Sequence, residues 1–427
     1  MTTQNKHLDP SNIQFLSFQG GGGKGFAYLG AIKALGEIIK LPSLDQSTNN
    51  KKQILGVAGA SAGALTAMMV AIGMSPDDIR ESLKRNLIDS LKLGQAFNIS
   101  RGPSKNVTVT DTAIYTRSSV PRVLDAVGEM VKWMFPYEAI LKEIASLVAS
   151  AVTSDHPLGE LLFSEPDIAV KVMWSDLGLC AGGLLRSFIY DQLNKLISAR
   201  GKTSSYSANT LTFAQFAKLT SVRLVVSATN VVNGINILFT EDFPENFPVA
   251  EAVAISASFP GIFKPTWIDK AIFQGSSSAT YGDPAALQGY WADGGIIDNF
   301  PLHAFDGYAM SGSAPNYPWS AAEVSSEELN PTMLGFQLVA GSSPTPNTTV
   351  TGVQPKEIWL GNYFTDLFGA LTQQNSDGWV RSKKERAQTI QVPVGKLTTT
   401  DFSPPPDIID AAEELGYQAT KLYFNAP

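Results

Sequence analysis

Two residues, a serine and an aspartate, stand in sequence contexts that could support acyl-transfer chemistry. Ser61 is the central residue of the motif Gly59–Gly63 (GASAG). A G-x-S-x-G motif between a strand and a helix is typical of a nucleophile elbow, where small neighbours relieve crowding around a sharply turned serine. Asp293 follows the letters YWA and precedes Gly294 and Gly295. An apolar strand would therefore deliver a carboxylate into a glycine turn, where it could accept the proton of a serine hydroxyl.

A glycine run near the N-terminus is the third feature that could do chemistry. Lys24 and Gly25 close this run, whose four preceding residues are Gly20, Gly21, Gly22 and Gly23. The run lies between a buried-strand pattern and a helical pattern, so its N–H groups and the helix dipole favour an anion or an oxyanion. A phosphate-binding P-loop is excluded because Gly25 follows the lysine where serine or threonine is needed. An oxyanion hole, a dinucleotide site with Glu37 or Asp45 on the ribose, and a plain glycine turn all stay open.

The histidines offer the serine one candidate base. Of the three in the chain, His7 lies close to the N-terminus and His156 lies in a helical stretch beside a proline. His303, within PLHAF, follows the aspartate motif and keeps a Ser–His–Asp triad open. The usual α/β-hydrolase order fits poorly, since Ser61 follows only the second strand that the pattern predicts. A carboxylate that acts directly as the base is the alternative.

In their order and spacing, the three motifs resemble the patatin-like phospholipase family. The resemblance is carried by QGGGGKGFAYLGAIKAL, GASAG and ADGGIIDNFP. Softer similarities are SASFPGIFKP before the aspartate strand, Asn299 and Pro301 after it, and TTTDFSPPP with the last helix. The likeness covers most of the chain and thins between about 95 and 205. Where the family often has an aspartate before the glycines, this chain has Gln19, which removes one anchoring carboxylate.

The resemblance implies a lipid acyl hydrolase of the phospholipase A or lysophospholipase type that works through a Ser–Asp dyad without histidine. Ser61 would attack the ester carbonyl, and Asp293 would accept its proton as an acyl-enzyme forms. The oxyanion would be held by backbone N–H groups of the glycine run, chiefly those of Gly21 and Gly22, with Gly20 or Gly23 nearby. The residues that support these motifs are Lys24, which matches the family's basic position, Gly25, Gly59, Gly63, Gly294 and Gly295.

The resemblance also implies what the protein binds. The expected substrate is a membrane phospholipid, and the reaction needs no metal and no cofactor. Peripheral contact with a membrane is compatible with this chemistry, as is an activating protein or ligand, which no motif identifies. Two alternatives stay open: an acyltransferase that uses the same dyad, and a non-catalytic or nucleotide-binding α/β protein.

The elements that must position these residues follow an α/β order. Apolar strand patterns alternate with amphipathic helix patterns, which predicts an α/β fold with a central, mainly parallel sheet flanked by helices. With 427 residues, of which 44% are hydrophobic, the chain can bury a sizeable core. We expect a single patatin-like domain over 11–427, a mostly helical inserted cap at about 95–205, and a disordered N-terminus over 1–10. Within the cap, Val123–Val152 is either a lid or membrane anchor, or a set of ordinary core-packed helices.

Charge, cysteine content and hydropathy exclude several classes of protein. The net charge of −7 does not favour general binding to nucleic acid or anionic lipid. A single cysteine, Cys180, excludes an intrachain disulfide framework and a multi-thiolate metal site. The uncharged run Gln53–Pro76 contains four glycines and is predicted to form a strand, a turn and a helix rather than a membrane span. The N-terminus lacks a secretory signal pattern, so we expect a cytoplasmic or membrane-peripheral protein, with export by another route left open.

Overall fold

The computed structural model of the protein contains the three motifs and the elements around them. The described residues are 8–45, 53–83, 114–115, 178–180, 182–244, 246–273, 284–306, 332–343, 383–399 and 404–425. The strands are β1 (Phe15–Phe18), β2 (Gly56–Gly59), β3 (Ile114–Tyr115), β4 (Gly178–Cys180), β5 (Arg223–Asn230), β6 (Ile235–Phe239), β7 (Gly261–Phe263), β8 (Thr266–Ile268), β9 (Gly289–Asp293), β10 (Met333–Val339) and β11 (Thr389–Pro393). The helices are α1 (Tyr28–Gly36), α2 (Ala62–Ile72), α3 (Pro76–Ser82), α4 (Gly183–Ala199), α5 (Phe213–Thr220), α6 (Val249–Ser256), α7 (Pro284–Leu287), α8 (Lys383–Ala387) and α9 (Pro406–Asn425).

Nine of these strands form one sheet within the described part of the chain. Their order is β11-β10-β1-β2-β5-β9-β8-β3, and β6 pairs with β5 outside this path. The first five strands are mutually parallel, whereas β9 and β6 run antiparallel to β5. Since β8 is antiparallel to β9 and β3 is antiparallel to β8, six of the nine strands point the same way. The expected mainly parallel sheet flanked by helices is thus confirmed, with β3, β6 and β9 running against the majority.

The register of the sheet brings the three motifs to one end. Phe18 lies opposite Gly59, so the glycine run and the serine motif leave adjacent parallel strands side by side. Strand β5 continues beyond this level, because its Val226 pairs with Gly59 and its Ala228 pairs with Asp293. The aspartate therefore ends an antiparallel strand just past the point where β2 gives way to the serine turn.

Both faces of the sheet carry apolar side chains, because neighbouring residues of a strand point in opposite directions. In β1, Phe15 packs with Phe300 and Phe305 on one face, while Leu16 and Phe18 join the larger cluster on the other. The rings of Phe15 and Phe305 stack with centroids 4.6 Å apart. A sheet covered on both faces accounts for the continuous apolar letters of its central parallel strands.

The uncharged run around the serine motif folds, as predicted, into a strand and a separate helix. Helix α2 begins at Ala62, directly after the serine turn, and ends at Gly73, whose φ of 90° is left-handed. It is buried over Gly63–Ile72, which its small and apolar side chains permit. In the described parts of the chain, no helix has both the length and the apolarity to cross a membrane.

The C-terminal helix, also expected from the sequence, packs across the helix that follows the glycine run. Helix α9 contacts α1 along its length. Ion pairs join α9 to its neighbours: Arg80 Nη1 of α3 lies 2.8 Å from Glu413 Oε2, and Lys421 Nζ lies 2.7 Å from Glu37 Oε2 at the end of α1. The glycine run is therefore backed by two packed helices.

Most of the expected helical insertion lies outside the described residues. Of the range 95–205, the structure describes β3, β4 and residues 182–205, which include α4. The lid hypothesis for Val123–Val152 also falls outside, and the single domain over 11–427 stays a prediction. At the N-terminus, residues 1–7 are outside, but the N–H of Leu8 already donates to the Tyr423 hydroxyl over 3.3 Å, so the expected disorder does not extend to residue 10.

Candidate active site

The turn between β2 and α2 holds Ser61 in a backbone conformation that residues other than glycine seldom adopt. Its φ is 53° and its ψ is −127°. Such conformations cost on the order of 1–3 kcal/mol and persist only where the surrounding structure enforces them. Ser61 is 8% exposed and stands at the N-terminal end of α2. This is the strand–turn–helix setting that the G-x-S-x-G motif predicts for a nucleophile elbow.

Asp293 lies across β5 from this turn and accepts a hydrogen bond from the serine. Ser61 Oγ donates to Asp293 Oδ2 over 2.6 Å, and the N–H of Gly295 donates to Oδ1 over 2.7 Å. Asp293 is 4% exposed. Burial raises the pKa of Asp293 to about 7, while these two hydrogen bonds act in the opposite direction. A carboxylate with this pKa is a far stronger base than an ordinary aspartate and can accept a serine proton near neutral pH.

The four N–H groups of the glycine run divide into two pairs. Gly20 and Gly23 donate their N–H groups to the backbone carbonyls of Asn299 and Thr399, over 2.9 Å each. The N–H groups of the two middle glycines have no acceptor among the described residues. The second of these, Gly22, has a φ of 55°, and the Thr399 carbonyl leaves no room for a side chain there. Two of the four predicted oxyanion donors are thus already bonded, and two remain available to a ligand.

The glycine run approaches the serine most closely at its first residue. A side chain on Gly20 would place its Cβ 2.8 Å from Ser61 Cβ, closer than real Cβ atoms come to one another. Asn299 secures this approach, since its Nδ2 donates to the Gly20 carbonyl over 3.2 Å and its own carbonyl accepts the Gly20 N–H. Gln19 also serves as an anchor, because its Oε1 accepts the N–H of Leu338 over 2.7 Å. The amide therefore supplies a fixing bond at the position where the family often has a carboxylate.

Two cavities of different chemical character meet at Ser61. The first has about 730 Å³ of empty space and follows the face of α2 that presents Ala62, Leu65, Thr66 and Met69. Apolar side chains from other elements complete its wall: Phe26, Leu83, Leu185, Ala257 and Phe263. The second has about 560 Å³ and is lined by Asp293, Lys24 and Asn299 among others. Ser61, Gly22 and Phe259 line both, so the candidate nucleophile stands between an apolar and a polar cavity.

Lys24 provides the positive charge of the polar cavity. The side chain is partly buried, and burial lowers its pKa. None of the acidic residues that the structure describes forms an ion pair with it. A partly desolvated cation without a neutralising neighbour favours an anionic ligand.

His303 contacts a different aspartate from the one that contacts the serine. Its Nε2 lies 3.8 Å from Asp298 Oδ2. Burial raises the pKa of Asp298, and the nearby His303 opposes that effect. Because Ser61 donates to Asp293, the described contacts do not assemble the Ser–His–Asp triad that the sequence left open. Among the described residues there is also no group of three or more histidines, cysteines, aspartates or glutamates arranged to hold a metal ion.

Two residues at this site had no role assigned from the sequence. Asn299 joins the aspartate loop to the glycine run, and Ser256 accepts the N–H of Ser61 on its Oγ over 3.0 Å. Both lie in segments that carry the family resemblance, SASFPGIFKP and ADGGIIDNFP. Their partners are far away in the sequence, so no local pattern could have indicated these contacts.

The fold and the site together define a mixed α/β protein with a central sheet flanked by helices and a serine–aspartate pair at one end of that sheet. A family model described as patatin-like phospholipase matches residues 16–306, which include all three motifs and more than half of the chain. The chain therefore belongs to the patatin-like phospholipase family.

Several individual proteins are similar to this chain. The uncharacterized protein YqhO of Bacillus subtilis (strain 168) is 25% identical over 265 residues, which cover 60% of this chain and 70% of YqhO. VipD from Legionella pneumophila has a TM-score of 0.44 at 19% identity, over 97% of this chain and 67% of VipD. ExoU, solved in a heterodimeric complex with SpcU from the type III secretion system of Pseudomonas aeruginosa, has a TM-score of 0.39 at 17% identity. That match covers 98% of this chain and 52% of the other, so this chain spans about half the length of ExoU.

Proposed function

We propose that the protein is a lipid acyl hydrolase that cleaves ester-linked fatty acids from phospholipids, with Ser61 as nucleophile and Asp293 as base. The observation that carries this proposal is the 2.6 Å hydrogen bond between a strained serine and a buried carboxylate. The pKa of about 7 for Asp293 supports its role as the base. Membership of the patatin-like phospholipase family supports lipid hydrolysis as the activity.

The reaction would pass through an acyl-enzyme. Ser61 Oγ attacks the ester carbonyl carbon as its proton moves to Asp293 Oδ2, and the carbonyl oxygen becomes an oxyanion. The free N–H groups of Gly21 and Gly22 are the donors available to that oxyanion. The intermediate then expels the lysolipid alcohol, which takes the proton from Asp293 and leaves the acyl group on Ser61. Water attacks this ester, gives its proton to Asp293, and the carboxylate returns a proton to Ser61 as the fatty acid leaves.

The two cavities suggest how a phospholipid would lie across the serine. The acyl chain fits the apolar cavity along α2, because burying its methylene groups is favourable there. The phosphate fits the polar cavity, where Lys24 supplies a positive charge. This arrangement favours phospholipids of the phospholipase A or lysophospholipase type over neutral lipids.

The proposal is tested by measuring fatty-acid release from vesicles of phosphatidylcholine with phosphatidylglycerol. We expect release by the wild type without added metal, and a loss of at least about 10³-fold for Ser61→Ala and Asp293→Asn, because each removes a group that acts as a unit with the other. His303→Asn is the matched control, since it removes a histidine near the aspartate loop and should keep activity within about threefold.

Each outcome separates the proposal from an alternative. Equal release by wild type and Ser61→Ala would exclude Ser61 as the nucleophile. A large loss with His303→Asn in a folded protein would restore the triad in place of the dyad. Acyl transfer to an added alcohol, with little free fatty acid, would indicate the acyltransferase that the sequence left open.

A further inference from the structure

The C-terminal end of α6 contacts the backbone of both residues of the proposed dyad. The Ser61 N–H donates to Ser256 Oγ over 3.0 Å, and the Asp293 N–H donates to the Ser258 carbonyl over 3.2 Å. Ser256 is completely buried, so no water can replace its hydroxyl as an acceptor. One short segment therefore bridges the serine turn and the end of β9.

Helix α6 is itself fixed by a buried ion pair. Glu251 of α6 is 1% exposed, and its Oε2 lies 2.9 Å from the Nε of Arg186 in α4. The Tyr190 hydroxyl donates to the same carboxylate over 3.2 Å, and Arg186 Nη2 donates to Thr266 Oγ1 of β8 over 3.1 Å. Charge-assisted hydrogen bonds of this geometry fix orientation strongly. The helix that contacts the dyad thus has a defined position between α4 and the sheet.

We propose that Ser256 is a positioning residue for the reaction proposed above, on which this inference rests. The φ of 53° at Ser61 must be enforced by its surroundings, and φ is the angle that turns the Ser61 N–H. By accepting that N–H, the Ser256 hydroxyl fixes the turn that directs Ser61 Oγ toward Asp293. It also occupies the Ser61 N–H, which is therefore not a donor to the oxyanion.

Replacing Ser256 with alanine would leave a buried N–H group without an acceptor. The turn could then relax toward an ordinary conformation, which would move Ser61 Oγ away from the carboxylate and from the ester. A displacement of about 1 Å is enough to lower a rate about 10²-fold. Both cavities would keep their linings, so lipid binding should change little.

The experiment compares kcat and KM for Ser256→Ala with those of a matched control. We expect kcat to fall about 10- to 100-fold with KM within about twofold, and phosphonylation of Ser61 by a fluorophosphonate to slow by a similar factor. The control is Thr220→Val. Thr220 Oγ1 is also buried and accepts a backbone N–H, that of Val222, over 3.1 Å, but it lies at the opposite end of β5. Thr220→Val should lower the melting temperature to a similar extent and leave kcat within about twofold.

An unchanged kcat for Ser256→Ala, or equal losses of kcat in both variants, would overturn the positioning role. If Ser256→Ala does not fold, Ser256→Cys decides, because a thiol has nearly the size of the hydroxyl but is a weak acceptor. The Ser61→Ala variant distinguishes the two proposals. Activity that depends on Ser61 but not on Ser256 refutes only this inference, whereas activity without Ser61 refutes the proposed dyad.

Discussion

The protonation of Asp293 should control both the rate and the stability of the protein. Its pKa is about 7 because the carboxyl group is buried, compared with an ordinary value of 3.8. Only the deprotonated carboxylate can accept the serine proton. We therefore expect kcat/KM to rise about tenfold per pH unit below pH 7, to be half-maximal near pH 7, and to level off above about pH 8.

The same raised pKa predicts a stability effect of defined sign. Between the ordinary pKa and about 7, the folded protein binds the proton more tightly than the unfolded chain does. The associated stability is complete below about pH 4 and is lost as the pH rises through about 7. A difference of about three pKa units corresponds to at most about 4 kcal/mol, since each unit is worth about 1.4 kcal/mol. Asp293→Asn carries no ionising group, so at pH 8 it should unfold with a free energy up to about 4 kcal/mol higher than the wild type.

The assay combines two measurements on the same variants. Hydrolysis of a soluble, uncharged fluorogenic ester is followed from pH 5 to pH 9, and urea unfolding is followed at pH 5 and pH 8. Asp298→Asn is the control, because this second aspartate is also buried with a raised pKa but contacts His303 rather than the serine. It should leave the midpoint of the rate profile near pH 7.

Two results would refute this reasoning. One is a rate for the wild type that does not change between pH 5 and pH 8. The other is an Asp293→Asn variant that is inactive and also less stable than the wild type at pH 8, because then burial does not disfavour the charged carboxylate.

Three other predictions test the parts of the site around the dyad. Gly22→Ala should lower kcat at least about 10²-fold by disturbing an oxyanion donor. Gly234→Ala, at an equally left-handed glycine with open space around it, should cost stability alone, as kinetics and thermal melting will show. Lys24→Met should raise KM for vesicle phospholipid about tenfold without changing KM for a neutral soluble ester, while Lys33→Met on the exposed surface changes neither. Met69→Trp should shift the preference toward shorter acyl chains in competition assays, because position 69 lies about 10 Å along α2 from the serine turn.

The sequence predicted the elements whose signals are local. Helix α2 has the predicted bounds, since the serine turn precedes it and Gly73 ends it. The strand β10 was likewise predicted over Met333–Val339. The Asn233-Gly234 pair gave the β5–β6 hairpin, because a tight turn needs a residue with positive φ, and Gly234 has a φ of 63°. In each case, the information lies within a few residues of the element it specifies.

The arrangement of the site depends on partners that are distant in the sequence. No pattern showed that Gly20 and Gly23 spend their N–H groups on Asn299 and Thr399. Nor did any pattern show that Ser256 accepts the N–H of the candidate nucleophile. The short strands β8 and β11 were also not predicted, because three to five residues carry too little periodicity to identify a strand. Hydrogen bonds between remote segments become visible only when the sheet order is known.

The segment ADGGIIDN contains two aspartates, and their surroundings determine which of them can act as the base. Both are buried and both have raised pKa values, so burial alone does not separate them. Asp298 faces a histidine, whose charge opposes the rise in its pKa. Asp293 has no such cation among its described contacts, and its opposing influences are hydrogen bonds from Ser61 and Gly295. The aspartate without a cationic partner therefore keeps the basicity that proton transfer requires, and it is the one that contacts the serine.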